Sequence, residues 1–337
     1  MKKLLLLFFF ASVVISCKDE NSQRLATGEA LGTTYQIKYY SEKEIELNKA
    51  LDSIFQSINQ SMSTYLPDSD ISQINAGDSS IQVNENFREV FKASDKVYRQ
   101  SGGFFDPTVG NLVNAYGFGA DKPLKSLDSI QLDSLKGLVG FDKVQLSRDN
   151  RIKFENRGMY LEFNAIAKGF TIDVIARYLD GKNVENYLIE LGGELVAKGR
   201  NLEKDSDWIV AIDDPNQKEG ERKLFTILAL RDRAMASSGN YRKFRTDSVS
   251  GQRFVHTINP ITGRAEQSNL LSVSVLAENC MLADAYATAF MALGYERSLE
   301  MLENLENLDV YFIYSEADGE EIKTFASPGF KQALIED

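Results

Sequence analysis

Hydrophobic positions along the chain follow two spacings, the alternation of a β-strand and the three- to four-residue repeat of an amphipathic helix. Alternating β-branched and aromatic residues at 32–40 (GTTYQIKYY) predict a strand. Helical spacing at 42–62 and at 87–98 predicts two helices, the second ending at Gly102-Gly103. Further strands are expected at 186–199, where two are joined through Gly192 and Gly193, and at 208–212, 224–230, 253–258, 270–277 and 309–315. Because strands and helices interleave without strict β–α–β alternation, the sequence predicts an α+β fold with mixed or antiparallel sheets and packed helices.

The segment 280–294 (CMLADAYATAFMALG) is almost entirely apolar and rich in strong helix formers. It predicts a helix that is buried nearly all round and ends at Gly294. Its two polar residues, Asp284 and Thr288, are four apart and therefore lie one turn apart on the same face. A carboxylate and a hydroxyl in this arrangement suit Mg²⁺. The alternative is that Asp284 pairs with an arginine or a backbone turn while Thr288 bonds back to its own helix, and these two residues alone do not decide between them.

Residues 160–180 predict a strand at 160–163, a turn at 164–165 and a helix from 166 to 179. Lys168 falls in the first turn of that helix. Free N–H groups and the helix dipole attract anions at a helix N-terminus, so a phosphate site is one interpretation. A solvated surface lysine is the other, and taken alone it is the commoner case. Just before this unit, 144–154 predicts a hairpin around Asp149-Asn150.

Three further segments have compositions that are typical of ligand-binding loops. Residues 104–119 (FFDPTVGNLVNAYGFG) are a poor helix and a poor strand, yet too apolar for a solvated loop. Residues 234–242 combine small side chains with a glycine, which allows a ligand to approach the backbone closely. Residues 256–263 begin with His256, the only histidine in the chain. A packed connection, a tight turn and a structural histidine are the corresponding alternatives.

Composition narrows the class of protein. The chain has 337 residues, 43% of them hydrophobic and 26% charged, which is typical of a folded globular protein. Its formal net charge of −11 argues against nucleic-acid binding, which needs a basic face. A phosphate-bearing ligand would need a metal ion or a local basic cluster to offset this field. The sequence contains no CxxC, HExxH, G-x-S-x-G or P-loop pattern.

The N-terminus predicts export and anchoring. Lys2 and Lys3 precede an apolar run over 4–15 that is too short to span a membrane comfortably, and Ser16-Cys17 follows. This pattern is similar to a bacterial lipoprotein signal. We therefore expect a signal peptide at 1–16, lipidation of Cys17, a polar tether over 17–26 and one domain over 27–337, held at the periplasmic face of a membrane or at the cell surface. An ordinary secretory signal or a short anchor is the alternative. Cys280 is then without a disulfide partner and is expected to be a small buried side chain.

A set of stretches in order along the chain resembles the FAD:protein FMN transferase family, the ApbE-like flavin transferases. These stretches are LGTTY (31–35), MSTY (62–65), FDPTVGNLVNAYGFG (105–119), LEFNAIAKGF (161–170), LGGE (191–194), SSGNYR (237–242), HTINPITG (256–263) and SVSVLAENCMLADAYATA (272–289). One such motif is weak, but all of them in the right order are highly specific. The resemblance extends over roughly residues 30–315 and agrees with a lipoprotein, because many members are lipoproteins or periplasmic.

The resemblance implies an enzyme that binds FAD with Mg²⁺ and transfers FMN to a threonine hydroxyl of a target protein, releasing AMP. The implied partner is an exported flavoprotein subunit of a membrane redox complex. The implied Mg²⁺ ligands are Asp284, Thr288 and the carbonyl of Ala165. His256 is the natural candidate for the general base, with Asp284 as a competitor that is weaker if it holds the metal. The implied FAD contacts are Leu31, Tyr65, Phe105, Asp106, Thr108, Glu162, Lys168 and the segment near Ile258, with Gly192, Gly193, Ser238 and Gly239 lining the same cleft.

Departures from the family pattern concern the shape of the cleft. Leu31 stands where methionine is usual, Glu162 where aspartate is common and Asn164 where glycine is common. Two alternative functions stay open from the sequence: a Mg²⁺-dependent FAD pyrophosphatase, in which water replaces the threonine hydroxyl, and a flavin-binding lipoprotein without catalysis. The pyrophosphatase uses the same residues, whereas a pure binding protein has no need of a metal at the pyrophosphate.

Overall fold

A computed structural model describes residues 22–124, 127–217, 221, 223–239, 244–246, 253–255, 257–265, 268–316 and 321–335, with the backbone alone at 244–246 and 253–255. The predicted signal peptide, Cys17 and His256 lie outside these residues. The strands are β1 (Gln23–Ala30), β2 (Thr33–Tyr40), β3 (Val144–Leu146), β4 (Ile152–Phe154), β5 (Asn186–Leu191), β6 (Glu194–Lys198), β7 (Trp208–Asp213), β8 (Leu224–Leu230), β9 (Arg233–Gly239), β10 (Phe244–Thr246), β11 (Arg253–Val255), β12 (Leu270–Ala277), β13 (Asp309–Ser315) and β14 (Ile322–Ala326).

The helices lie between and after these strands. They are α1 (Leu47–Met62), α2 (Asp70–Asn75), α3 (Glu85–Gln100), α4 (Gly110–Tyr116), α5 (Ser129–Lys136), α6 (Ala167–Gly181), α7 (Cys280–Leu293), α8 (Tyr295–Leu302) and α9 (Pro328–Ala333), with a 3₁₀ turn at Phe141–Lys143. No helix within the described ranges is long and apolar enough to cross a membrane.

The main sheet is antiparallel throughout. Across the described ranges it has eight strands in the order β1-β2-β5-β6-β9-β12-β13-β14, and β3–β4, β7–β8 and β10–β11 form separate pairs. Side chains on one face, such as Ile189, Ala236 and Phe312, are buried with the helices. Side chains on the other face, such as Met235, are buried with Trp208 of the β7–β8 pair and with α9. The sheet is therefore the middle of three layers, which is the predicted α+β architecture.

Helix α7 is the most buried helix of the helical layer. It packs on β9 and β12 and contacts α6 and α3. Ten of its fourteen residues are buried, and Gly294 ends it with a φ of 80°. Both features were predicted from the apolar composition and the glycine. Cys280 is buried and free of disulfide bonding, as expected.

Much of the predicted secondary structure is confirmed. The strands predicted at 270–277 and 309–315 are β12 and β13, and the hairpins predicted at 144–154 and 186–199 are β3–β4 and β5–β6. Strand β11 covers the start of the strand predicted at 253–258.

The predicted strand at 160–163 was wrong. Its backbone is held by other groups: the Asn75 side chain bonds both the N–H and the C=O of Leu161 at 2.8 Å, and the Glu162 N–H donates to the Pro107 carbonyl. A side-chain amide here takes the place of a neighbouring strand. Residues 104–119 were predicted to be without regular structure, but 110–116 form α4, which the left-handed Gly117 ends at a φ of 82°.

Four strands of the described ranges were not predicted, β1, β9, β10 and β14. Residues 233–239 form β9 in the centre of the sheet, although alanine, serine and glycine are poor strand formers. Small side chains are needed there because α7 lies directly on Ala236. Strand β1 begins at Gln23, inside the predicted tether and before residue 27, the predicted start of the domain. It is an edge strand on which Leu25 is exposed and Ala26 is buried, so its composition is close to that of a polar tether.

Candidate functional site

Several of the predicted site residues lie along one edge of the main sheet, the edge that is formed by the ends of its strands. Adjacent antiparallel strands run in opposite directions, so the tip of the β1–β2 hairpin, the β5–β6 turn and the end of β9 all meet there. The Gly192 N–H donates to the Thr34 carbonyl at 3.1 Å, which joins the first two of these features. Helix α6 begins at the same edge. The chain runs away from this edge along α6 and comes back to it along β5, which ends at the β5–β6 turn. The fold therefore brings Leu31, Gly192, Gly193 and Lys168 into one region.

The first turn of α6 contacts the middle of α7. The Gly169 N–H donates to Asp284 Oδ2 at 3.1 Å, and Lys168 Nζ lies 3.7 Å from the same oxygen. Lys168 Nζ also donates to Glu194 Oε1 at 2.6 Å, and Glu194 follows directly after the glycine pair of the β5–β6 turn. Two buried carboxylates from different elements therefore share one ammonium group.

This arrangement argues against one of the two interpretations of Lys168, the solvated surface lysine, and the phosphate site stays a prediction. The lysine is not a solvated surface residue, because its side chain is only 29% exposed. Burial alone lowers the pKa of an ammonium, but the Asp284 and Glu194 carboxylates outweigh this effect, and the pKa of Lys168 is raised. The cluster holds two potential negative charges and one positive charge.

Glu194 is a residue of this cluster that was not predicted as a site residue. The LGGE motif contains it, but only its glycines were assigned to the cleft. The available signal was its position: it is a carboxylate at the start of a strand, on the face that Val196 presents to the helices.

The predicted metal ligands lie at the contact between the two helices. Asp284 is 3% exposed, Thr288 is half-buried one turn further along the same face, and Ala165 lies two residues before Ala167, where α6 begins. A carboxylate, a hydroxyl and a carbonyl form an all-oxygen set, which fits Mg²⁺. Within the part of the chain that the structure describes, no three His, Cys, Asp or Glu side chains cluster to hold a metal.

The two turns at this edge have unusual backbone conformations. Gly192 and Gly193 both have positive φ, and a Cβ at Gly192 would lie 2.8 Å from the Thr33 side chain. Leu31 at the tip of the β1–β2 hairpin has a φ of 51°, which is rare for a side chain of this size. Leu31 and Gly32 form the two-residue turn between the paired Ala30 and Thr33, and a tight hairpin turn of this kind uses positive φ at both residues. A contact of Leu31 with the ligand stays a prediction.

Ser238 and Gly239 lie at the end of β9. Ala234 and Ala236 pack under the helices, so Ser238, two residues further on, is on the same face. It is half-buried, whereas Ser237 on the opposite face is bonded to Ser274 at 2.7 Å between the two hydroxyls. The small residues that predicted close approach of a ligand are therefore part of a central strand and point, at Ser238, to the side of α7.

Two polar side chains of the 104–119 segment bond to each other and connect the segment to residues 140 and 141. Asp106 accepts hydrogen bonds from the Thr108 N–H, the Thr108 hydroxyl and the Phe141 N–H, and the Thr108 hydroxyl accepts from the Gly140 N–H. Burial raises the pKa of Asp106 to about 6, although these hydrogen bonds oppose the shift. Phe105 is also buried. We interpret these three residues as shaping the loop, and direct contact with FAD stays a prediction for each.

Tyr65 and Glu162 lie near one another. The Tyr65 ring is 58% exposed, and burial of its hydroxyl together with the Glu162 carboxylate raises its pKa. Burial raises the pKa of Glu162 to about 7, although a hydrogen bond from Asn164 opposes this. An exposed aromatic ring beside a carboxyl that titrates near neutrality is typical of a ligand site.

The remaining predicted contacts do not belong to the cluster of Lys168, Asp284 and Glu194. Ile258 is 6% exposed and packs with Leu112, Val113 and Val139 in a satellite core around α4 and α5. Only its backbone is therefore suited to contact a ligand. His256, two residues before it, lies outside the described residues, so its predicted role as a base stays a prediction.

A cavity of about 370 Å³ lies beside α6 and β6, away from these residues. Neither Lys168 nor Asp284 lines it. Four of its charged groups form ion pairs, Arg177 with Glu89 at 2.7 Å and Lys198 with Asp180 at 2.7 Å. We therefore place the functional site at the edge of the sheet and not in this cavity.

Comparison with known proteins identifies the family. The model of the ApbE family matches residues 31–312. FAD:protein FMN transferases of Haemophilus influenzae and Vibrio cholerae are each 34% identical to the chain, over 98% of this chain and 98% of the first protein and over 96% of this chain and 96% of the second.

The solved structures agree. The flavin transferase ApbE from Vibrio cholerae is similar with a TM-score of 0.82 at 33% identity, over 93% of this chain and 100% of that one. The apo form of the flavinyl transferase ApbE from Pseudomonas stutzeri has a TM-score of 0.81 at 27% identity, over 93% and 97%. The predicted fold class and the family resemblance are confirmed: the chain belongs to the ApbE family.

Proposed function

We propose that this chain is an FAD:protein FMN transferase that acts with Mg²⁺ on a threonine hydroxyl of a target flavoprotein and releases AMP. The relatives' names support the class of reaction. The observation that carries the finer proposal is the cluster of Lys168, Asp284 and Glu194 at the N-terminus of α6. It supports this proposal because an ammonium suited to a phosphate lies beside carboxylates suited to a cation.

The reaction exchanges one phosphorus–oxygen bond for another. The acceptor hydroxyl oxygen attacks the phosphorus of the FMN half, the bond to the bridging oxygen breaks, and AMP leaves with that oxygen. The hydroxyl proton passes to a general base, for which His256 is our candidate. Asp284, Thr288 and the Ala165 carbonyl would hold Mg²⁺, which supplies positive charge that polarises the phosphorus and stabilises the leaving group.

The chain's own residues bind and orient the substrate. The Lys168 ammonium would offset part of the negative charge of the pyrophosphate. The exposed Tyr65 ring is suited to stack on a flavin or adenine ring. This matters because the chain as a whole is strongly acidic, and an anionic substrate is otherwise repelled.

We further propose an extracytoplasmic location, with Cys17 lipidated and the domain attached to a bacterial membrane. The support is the sequence pattern of the first 17 residues. The acceptor is then an exported flavoprotein subunit of a membrane redox complex. Radiolabelled palmitate incorporation into wild type, but not into Cys17→Ser, checks the anchor.

Mass spectrometry of the acceptor tests the transfer. The protein lacking residues 1–17 is incubated with FAD, Mg²⁺ and a candidate acceptor flavoprotein, with an acceptor threonine-to-alanine variant and an EDTA-treated reaction as controls. We expect an FMN adduct on the threonine that both controls lack. An adduct that forms equally well in EDTA would contradict the metal, and an adduct on the alanine variant would contradict the acceptor group. Free FMN and AMP without an adduct would support the pyrophosphatase instead.

A further inference from the structure

We propose that Asp173 is a positioning residue, which holds α7 against α6 so that Asp284 is placed to bind the cation. Asp173 does not belong to any of the predicted ligand sets. It lies one turn after Gly169 in α6, as Asp284 lies one turn after Cys280 in α7. The inference rests on the proposed role of Asp284 in Mg²⁺ binding.

Each of the two helices provides a carboxylate that accepts hydrogen bonds from N–H groups at the N-terminus of the other helix. The Cys280 N–H donates to Asp173 Oδ1 and the Met281 N–H donates to Asp173 Oδ2, both at 2.8 Å. In the other direction, the Gly169 N–H of α6 donates to Asp284 Oδ2 of α7. Each helix therefore satisfies free N–H groups of the other, and these bonds fix the offset of one helix along its partner.

The contact between the helices leaves little room for adjustment. A Cβ at Gly169 would lie 2.3 Å from the Cys280 carbonyl oxygen and 2.9 Å from Asp284 Cβ. Asp173 is itself 9% exposed, and its two hydrogen bonds use both carboxylate oxygens. A shift of α7 that breaks the bonds to Asp173 therefore also moves Asp284 relative to Gly169 and Lys168.

Asp173 is more than a helix cap. Helix α7 already has an N-cap of its own, because Asn279 Oδ1 accepts from the Leu282 N–H at 2.9 Å. The cap from Asn279 lies within α7 and leaves the position of α7 on α6 undetermined. The bonds to Asp173 come from the neighbouring helix and determine that position. Asn279 and Asp173 thus offer a matched pair: loss of either removes hydrogen bonds from the same helix end, but only loss of Asp173 releases α7 from α6.

The test compares Mg²⁺ affinity, measured by isothermal titration calorimetry without FAD, in wild type, Asp173→Asn, Asn279→Ala and Asp284→Ala. An asparagine keeps the size of the side chain but offers one acceptor oxygen, and its NH₂ faces an N–H. We expect Asp173→Asn to weaken Mg²⁺ binding by about tenfold or more, as loss of an outer partner of a ligand does. We expect Asn279→Ala to stay within about twofold of wild type while also lowering the melting temperature.

Equal Mg²⁺ affinities for Asp173→Asn and Asn279→Ala would overturn the inference, since Asp173 would then act on stability alone. Failure of the proposed function gives a different result: wild type does not bind Mg²⁺, or Asp284→Ala binds it as tightly as wild type. If Asp173→Asn does not fold, Asp173→Ser, whose hydroxyl accepts one bond, replaces it with the same criteria. The fold of each variant is checked by near-ultraviolet circular dichroism.

Discussion

The Lys168 ammonium lies between Glu194 of β6 and Asp284 of α7, and it compensates charge on both. An ion pair at this depth is costly to break because the remaining carboxylates stay buried. The same ammonium repels a cation that approaches Asp284. Lys168 therefore has opposite effects on the two ligands that we propose, since it favours the pyrophosphate and disfavours free Mg²⁺.

Replacing Lys168 by methionine separates these effects. We expect Lys168→Met to lose about 2 kcal/mol of unfolding free energy, less than the roughly 3–5 kcal/mol of a fully buried pair because the side chain is partly exposed. We expect its Mg²⁺ affinity without FAD to rise and its FAD affinity with Mg²⁺ to fall. Urea denaturation and calorimetry measure these quantities. Lys198→Met is the matched control, because the exposed Lys198–Asp180 pair contributes less than about 1 kcal/mol. A fall in both affinities would contradict this assignment.

We expect the unfolding free energy of the protein to depend on pH through the carboxyl group of Glu162. Its pKa rises from 4.5 to about 7 on folding, so the folded protein holds an extra proton between these pH values. Stability from this group is therefore greatest at low pH and is lost as the pH rises through that window.

We expect Glu162→Gln to match wild type in unfolding free energy at pH 4 and to exceed it by about 2 kcal/mol at pH 8, because a neutral side chain avoids the buried charge. Urea denaturation at both pH values gives the difference. Glu300→Gln, on the exposed side of α8, controls for the loss of a carboxylate. A Glu162→Gln variant that is less stable than wild type at pH 8 would show that the carboxylate is stabilising.

At the scale of elements, the hydrophobic pattern of a segment correctly predicted the strands and helices whose structure depends mainly on their own residues. Strands β12 and β13 have hydrophobic and β-branched runs that agree with their buried position, and the composition of α7 and Gly294 predicted both its burial and its end. The central strand β9 was missed because its small residues are selected by contact with α7, which lies far away in sequence. Residues 160–163 were wrong for a related reason, since Asn75 supplies the hydrogen bonds that a neighbouring strand would supply.

The residues of the candidate site divide in the same way, into those that the sequence indicated and those that it did not. Asp284, Thr288 and Lys168 stand out as single polar groups in apolar or helix-start contexts, so the sequence indicated them. Glu194 and Asp173 have meaning only through partners on other elements, and no spacing within one element reveals those partners.

The close approach of α6 and α7 gives a prediction for Gly169. Alanine favours helix by about 1 kcal/mol over glycine, yet we expect Gly169→Ala to destabilise by about 2 kcal/mol or more, because its Cβ would overlap the Cys280 carbonyl. Gly181→Ala, in the same helix with no atom within 4 Å of its Cβ, is expected to be neutral or stabilising by up to about 1 kcal/mol. Thermal and urea unfolding measure both. Equal effects of the two variants would contradict the tight contact.

At the scale of the whole molecule, one sheet edge gathers the hairpin tip, the glycine turn and the first turn of α6 in a protein of net charge −11. In the function that we propose, an anionic substrate and a divalent cation compensate each other's charge at the same place. We expect Mg²⁺ to tighten FAD binding by about tenfold or more and, by thermodynamic reciprocity, FAD to tighten Mg²⁺ binding by the same factor. Calorimetry of each ligand with and without the other measures both factors, and independent binding would contradict a shared site.

The most direct test of the central claim is the ratio of AMP released to FMN covalently bound to the acceptor, measured in one reaction with Mg²⁺. We expect one AMP for each FMN adduct in wild type and neither product above background for Asp284→Ala, with the variant's fold verified by circular dichroism. AMP in excess of the adduct, matched by free FMN, would mean that water is the acceptor and that the protein hydrolyses FAD. Adduct formation by Asp284→Ala at the wild-type rate would contradict the site itself.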